Sequence, residues 1–159
     1  RKAGMERKGK PIQSQFTRVN SLGYKFYRLA HLFAQALDER LASHNVTVGQ
    51  FRMLLVLWER EDVTQAEIAH LLDVEQPTVA STLRRMERDG LITTTGDPSD
   101  RRRTRIVLTK RAHALRESLT WEAQSVNEVA VIGLSSDDTA RLHSLLDHLT
   151  RALVESNRA

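Results

Sequence analysis

Thr64-Gln65-Ala66-Glu67-Ile68-Ala69-His70-Leu71-Leu72-Asp73-Val74-Glu75-Gln76-Pro77-Thr78-Val79-Ala80-Ser81-Thr82-Leu83-Arg84-Arg85-Met86 is the stretch that decides the fold. Thr64 with Glu67 three residues later has the capping-box pattern, in which a hydroxyl and a carboxylate satisfy the first free N–H groups of a helix. The short helix they open carries Ile68, Ala69, Leu71 and Leu72. Asp73-Val74-Glu75 makes a turn, and Pro77 sits in the first turn of the next helix, where its missing N–H costs nothing. That helix places Val79, Leu83 and Met86 inward at i, i+4 and i+7, and is expected to show Gln76, Thr78, Ser81, Thr82 and Arg85 on the opposite side. A short helix, a tight turn and a second helix with an apolar back and a polar front form a helix-turn-helix unit.

Working outward, Gly90 supplies the helix stop. Residues 91–95 and 104–108 then read as two strands joined by Gly96-Asp97-Pro98-Ser99-Asp100-Arg101-Arg102-Arg103, on their β-branched content and turn residues. Upstream, Leu22, Phe26, Leu29, Phe33, Leu37 and Leu41 recur every three or four positions, so residues 21–44 form a long amphipathic helix with Ser21 as N-cap. A further helix is expected from near Thr47 to Glu59 with Phe51, Leu54, Leu55 and Trp58 on one face. Downstream, the spacing predicts one helix over residues 110–132. A last helix follows, capped by Ser135, with Leu142, Leu145, Leu146, Leu149 and Leu153 in a leucine stripe. The fold class is mainly α with a small β-hairpin, an α+β arrangement.

Charge is unevenly placed. Residues 84–111 hold nine Lys/Arg against four Asp/Glu, a local net of +5 in a chain whose whole formal charge is +4. Residues 1–10 net +4, while residues 11–83 net −2 and residues 112–159 net −3. Two positive blocks on a slightly acidic body are the footprint of a polyanionic partner. The basic helix and hairpin suit a duplex, the helix reading base edges and the hairpin gripping an adjacent groove. Residues 1–20 are expected to be a solvated, flexible basic tail. Zero cysteines exclude disulfides, a thiol switch and a cysteine-ligated metal. His31, His44, His70, His113, His143 and His148 show no i, i+4 pair, so no zinc site and no cofactor are expected. Charges interrupt every apolar run well before the roughly 18 residues of a bilayer span, and no apolar core follows the positive start. A cytoplasmic location away from membranes is the expectation. No Gly-rich phosphate loop, cysteine nucleophile or Gly-x-Ser-x-Gly elbow points to an enzyme.

Taken in order, Thr47-Val48-Gly49-Gln50-Phe51, Thr64 to Ala69, Glu75-Gln76-Pro77-Thr78-Val79, Leu83 to Ile92, and Asp97-Pro98-Ser99-Asp100-Arg101-Arg102 closing on Leu108-Thr109 resemble the MarR/SlyA family of bacterial transcriptional regulators. The resemblance spans roughly residues 21–155, and the Asp-Arg-Arg hairpin followed by Leu-Thr is its most specific element. It implies a winged helix-turn-helix over residues 45–109, flanked by dimerisation helices at 21–44 and 110–159. It further implies a homodimer, a pseudo-palindromic DNA site, action as a repressor, and release by a small aromatic or phenolic effector. Two departures stand out: Thr93-Thr94-Thr95 replaces a stretch where the family often has an arginine, and Ala112 stands near a usual glycine.

In the reading of the residues themselves, Gln76 pairs with adenine, Pro77 touches a thymine methyl, Thr78, Ser81 and Thr82 offer short hydroxyls, and Arg85 reaches guanine or phosphate. Arg84 lies off this face and meets phosphate. Asp100 steadies a neighbouring guanidinium, Arg102 enters the minor groove, and Arg101 and Arg103 contact backbone. Tyr27, Arg28 and His31 on the first helix and Arg52 and Trp58 on the second are the candidate effector residues that the resemblance implies, with Arg28 or Arg52 as counter-charge for an aromatic acid. The alternative makes Phe51 and Trp58 core, Tyr27 a seam residue and His31 an interfacial histidine. A different function class also stands open: an architectural or non-specific DNA-binding winged-helix protein with no effector.

Overall fold

Ser21 accepts a hydrogen bond from the Tyr24 N–H and opens α1, Leu22–Leu41, which a 3-10 turn, Ala42–His44, prolongs until Asn45 turns left-handed at φ 55°. The computed structural model describes residues 17–60, 62–96 and 104–158, so most of the expected basic tail lies outside the described residues. α2, Val48–Glu59, starts at a capping box of Thr47 and Gln50; α3, Gln65–Leu72, starts at the one expected from Thr64 and Glu67. Asp73 adopts the left-handed conformation at φ 50°, ending α3 so tightly that α4, Gln76–Arg88, begins three residues later. Pro77 lies in its first turn.

Gly90, at φ +69°, turns the chain out of α4 at an angle side-chain-bearing residues rarely adopt. β1, Ile92–Gly96, pairs antiparallel with β2, Thr104–Leu108, in the register Ile92↔Leu108, Thr94↔Ile106, Gly96↔Thr104. Ile92 and Ile106 are buried, whereas Thr93, Thr95 and Val107 stay exposed on the other face. Residues 97–103 at the tip lie outside the described residues.

After the hairpin the single helix expected over residues 110–132 is divided into α5, Lys110–Ala114, and α6, Arg116–Ala130. The break falls at Leu115. Beside it the Ala112 carbonyl accepts from the indole Nε1 of Trp58 at 3.2 Å. The last helix, α7, Ser136–Arg158, is preceded by Ser135, whose hydroxyl oxygen accepts from the Asp138 N–H.

The core lies beneath the helix-turn-helix. Leu41, Leu54, Ile68, Val79, Met86, Leu91, Ile92 and Leu119 are fully buried, drawing α1, α2, α3, α4, β1 and α6 together. α7 contributes no buried residue, and Leu145, Leu153, Ile132 and Tyr27 stand 52%, 65%, 83% and 71% exposed. Among the described residues no helix is long and apolar enough to cross a membrane.

Candidate nucleic-acid interface

The surface of α4 follows from where its apolar stripe points. Val79, Thr82, Leu83 and Met86 are buried, so the side turned furthest outward carries Pro77, Ser81, Arg84 and Arg88, at spacings of four, three and four. Gln76, Pro77, Thr78, Arg84 and Arg85 are exposed and Ser81 is half-buried. The Ser81 hydroxyl donates to the Thr78 carbonyl at 3.1 Å, leaving its oxygen free as an acceptor toward a base edge. Gln65 Nε2 donates to the Gln76 carbonyl at 3.4 Å and ties the start of α4 to α3.

Two expectations on this helix need correction. Thr82 does not face outward: it is 3% exposed, and its hydroxyl oxygen accepts from Arg85 Nη2 at 3.2 Å. It sits three residues after Val79 and four before Met86, on the same side as both, a spacing already present in the sequence. Arg84, expected off the reading face, lies on the outward stripe. Arg88, passed over in the sequence, completes that stripe, and its Nε donates to Asp89 Oδ1 at 2.9 Å. The Arg88 hydrogen bond first, then that of Gln50, holds the Asp89 carboxyl below its ordinary range, and Asp89 in turn raises Arg88.

The hairpin is pinned to α4 from below. Glu87 Oε1 accepts from the Thr94 N–H at 3.2 Å and from its hydroxyl at 2.6 Å. Thr94 is the position where the sequence departs from an expected arginine, and here it anchors the strand. At the other strand Arg105 lies 3.5 Å from Asp62. Asp100, Arg101, Arg102 and Arg103, expected at the tip, lie outside the described residues.

A crevice of about 450 Å³ opens where α1, α2 and α6 meet, lined chiefly by Phe26, Phe33, Phe51, Arg52, Leu55 and Val126. Of the five expected effector residues only Arg52 lines it. Phe26, Leu29, Ala30, Phe33 and Leu37 face the crevice from α1, so Arg28 and His31 fall on the far side of that helix and Tyr27 points to solvent. Trp58, half-buried, is held against the core by its bond to Ala112 and by an edge-on approach to Phe51, ring centroids 6.3 Å apart. A second groove of about 600 Å³ runs between α1, α6 and α7, lined among others by Phe26, Phe33, Leu142, Leu145, Leu146 and Leu149. Among the described residues no group of three or more His, Cys, Asp or Glu is placed to hold a metal.

Comparison with known proteins agrees with this geometry. The profile of the MarR family matches residues 46–104. The HTH-type transcriptional regulator TtmR of Methylorubrum extorquens (strain PA1) is 31% identical over 130 residues, 82% of this chain and 64% of TtmR, so the chain spans less than two thirds of that relative. The Staphylococcus aureus MepR–DNA complex superposes with a TM-score of 0.75 at 27% identity, covering 86% of this chain and 99% of MepR. A MarR transcriptional regulator from Methanosarcina mazei Go1 superposes with a TM-score of 0.78 over 84% of this chain and 96% of that one; at 17% identity this likeness is one of fold.

Proposed function

Because the chain belongs to the MarR family of winged helix-turn-helix transcriptional regulators, we propose that it represses transcription as a homodimer bound to a pseudo-palindromic operator and leaves the DNA when a small aromatic or phenolic acid enters the α1–α2–α6 crevice. The family is one of regulators, not enzymes. Residues 45–109 bind DNA in this scheme, and residues 21–44 and 110–159 join the two copies.

The observation that carries the reading is the division of α4: a buried apolar side, and an outward side of Pro77, Ser81, Arg84 and Arg88 flanked by exposed Gln76, Thr78 and Arg85. A 13-residue helix with that outward side fits a major groove, where Gln76 meets adenine and the arginines meet guanine or phosphate. Arg102 serves the minor groove beside it, with Arg101 and Arg103 on backbone and Asp100 bracing them. MepR, a similar protein, was crystallised with DNA, which supports the duplex as partner.

Dimerisation answers the unburied apolar surface. The groove between α1 and α7 and the exposed Leu145, Leu153 and Ile132 make a patch a monomer rarely leaves in water. A two-fold arrangement covers it and sets two reading helices about one DNA turn, roughly 34 Å, apart. In the crevice Arg52 supplies the positive charge for a ligand carboxylate among Phe26, Phe33 and Phe51.

The test is a competition gel shift. Wild-type protein is expected to hold a duplex selected from a random pool against excess non-specific DNA, Arg102→Ala to bind it at least about tenfold more weakly, and Arg18→Ala, whose guanidinium lies over the Tyr24 ring, to bind as wild type. Loss of the complex to random competitor identifies an architectural binder and overturns the operator reading.

A further inference from the structure

Arg111 belongs, by sequence, to the basic block assigned to DNA, but its exposed guanidinium is engaged by two backbone carbonyls of the protein itself. Nη1 donates to the Asp89 carbonyl at the end of α4, and Nη2 donates to the His44 carbonyl, 3.4 Å away, at the end of α1's 3-10 turn. One side chain on α5 therefore holds the C-terminus of the reading helix to the end of a helix expected to join the two copies. Backbone carbonyls cannot change rotamer, so a guanidinium fork across two of them fixes the two helix ends relative to each other more firmly than a side-chain pair would. The carbonyl end of α4 also carries the negative pole of its dipole, which a cation there stabilises.

The fork is not isolated. Gln50, 3% exposed at the start of α2, donates Nε2 to Asp89 Oδ2 at 2.8 Å, so Asp89 is held through its carbonyl from α5 and through its carboxylate from α2. On the other side, the His44 ring nitrogen Nε2 lies 3.7 Å from Glu122 Oε1, and Arg40 Nη1 donates to Glu122 Oε2 at 3.3 Å. The line of bonds runs from α6 through the end of α1 and the start of α5 to the end of α4. It ties the end of that helix to α1, while the Gln65–Gln76 bond ties its start to α3, so α3 and α4 form one unit whose exposed Gln76 and Pro77 reach the groove.

We propose that Arg111 is a positioning residue that sets the half-site spacing the dimer accepts, a role that rests on the operator reading above. The lever is simple. α4 has 13 residues and is about 20 Å long, so a swing of the α3–α4 unit by roughly 10° relative to α1 carries the N-terminus of α4 about 3.5 Å, close to the ~3.4 Å rise of one base pair. Inserting one base pair between half-sites displaces the second by that rise and turns it by about a tenth of a helical turn. Shared between two copies, this is a displacement of about 1.7 Å and a turn of about 18° for each reading helix. The fork and the Gln50–Asp89 bond together resist a swing of that unit against α1; without the fork one of the two ties on Asp89 is gone and the swing costs less.

The experiment begins with in vitro selection of duplexes by the wild-type protein, then measures affinity for the selected duplex and for versions with one base pair inserted or deleted at its centre. Wild type is expected to lose about thirtyfold or more on either change. Arg111→Met and Arg111→Lys are expected to lose no more than about fivefold, because lysine keeps the charge but presents its donors from a single nitrogen in place of a planar two-nitrogen fork. The salt dependence of binding is expected to stay unchanged in both. A variant spacing profile equal to that of wild type overturns the proposal. So does a salt slope that drops in Arg111→Met and returns in Arg111→Lys, the mark of a phosphate contact. If wild type selects no two-part site at all, it is the operator reading that fails, and this role falls with it.

Discussion

Replacing Gln50 by Leu removes a buried side chain that joins two helices and little else, since the two residues are close in size. Gln50 is 3% exposed, donates to the Asp89 carboxylate at 2.8 Å and accepts from the Thr47 N–H at 3.0 Å. A bond to a charged partner contributes about 1.5–3 kcal/mol and a neutral one about 1 kcal/mol. Against that loss, a buried leucine gains roughly 1–2 kcal/mol of apolar transfer. The net expectation is a destabilisation of about 2 kcal/mol, or about 4–8 °C in Tm for a chain of this size. The assay is thermal unfolding at neutral pH, with wild type and variant at equal protein concentration because a dimer's Tm depends on it. Asp89→Asn and the double variant complete a cycle whose coupling is expected to be about 1 kcal/mol. A Tm within about 1 °C of wild type, or strictly additive single effects, would show that the Gln50–Asp89 bond does not join α2 to α4 as described.

Two shorter predictions follow from the same region. Thr82→Val keeps the shape of a buried residue whose hydroxyl faces Arg85, so affinity for the selected duplex is expected to stay within about threefold; a loss beyond about tenfold in the gel shift would return Thr82 to the reading face. The Asp89 carboxyl is held below its ordinary value by Arg88 and Gln50. Its stabilisation is therefore complete above the ordinary carboxylate value of about 3.9 and is lost as pH falls through the lower folded value. Asp89→Asn is expected to be less stable than wild type at neutral pH and to show a flatter decline in acid. Denaturant unfolding between neutral pH and about pH 3 checks this, and parallel curves for the two proteins would contradict it.

Local chemistry alone was enough for much of this molecule. A hydroxyl three residues ahead of a carboxylate satisfies helix N–H groups wherever it occurs, so the start of α3 was legible at Thr64 and Glu67, and the same physics placed Ser21 and Ser135. The period of Leu22 to Leu41 and the β-branched residues around the hairpin were equally local signals. The inward position of Thr82 is equally local, written in its spacing from Val79 and Met86. Other features needed the folded chain. The bond that the Trp58 indole makes to the Ala112 carbonyl, 54 residues away, beside the break at Leu115, is one of them. The crevice residues depend on which side of α1 meets α2 and α6, and a helical wheel has no knowledge of that. Arg111 looked like one more cation in a basic run until folding brought two carbonyls, 22 and 67 residues distant, within its reach. Periodicity and capping act over one or two turns and are written in neighbouring residues, whereas the partner of a long polar side chain is settled by which helix ends the packed core brings together.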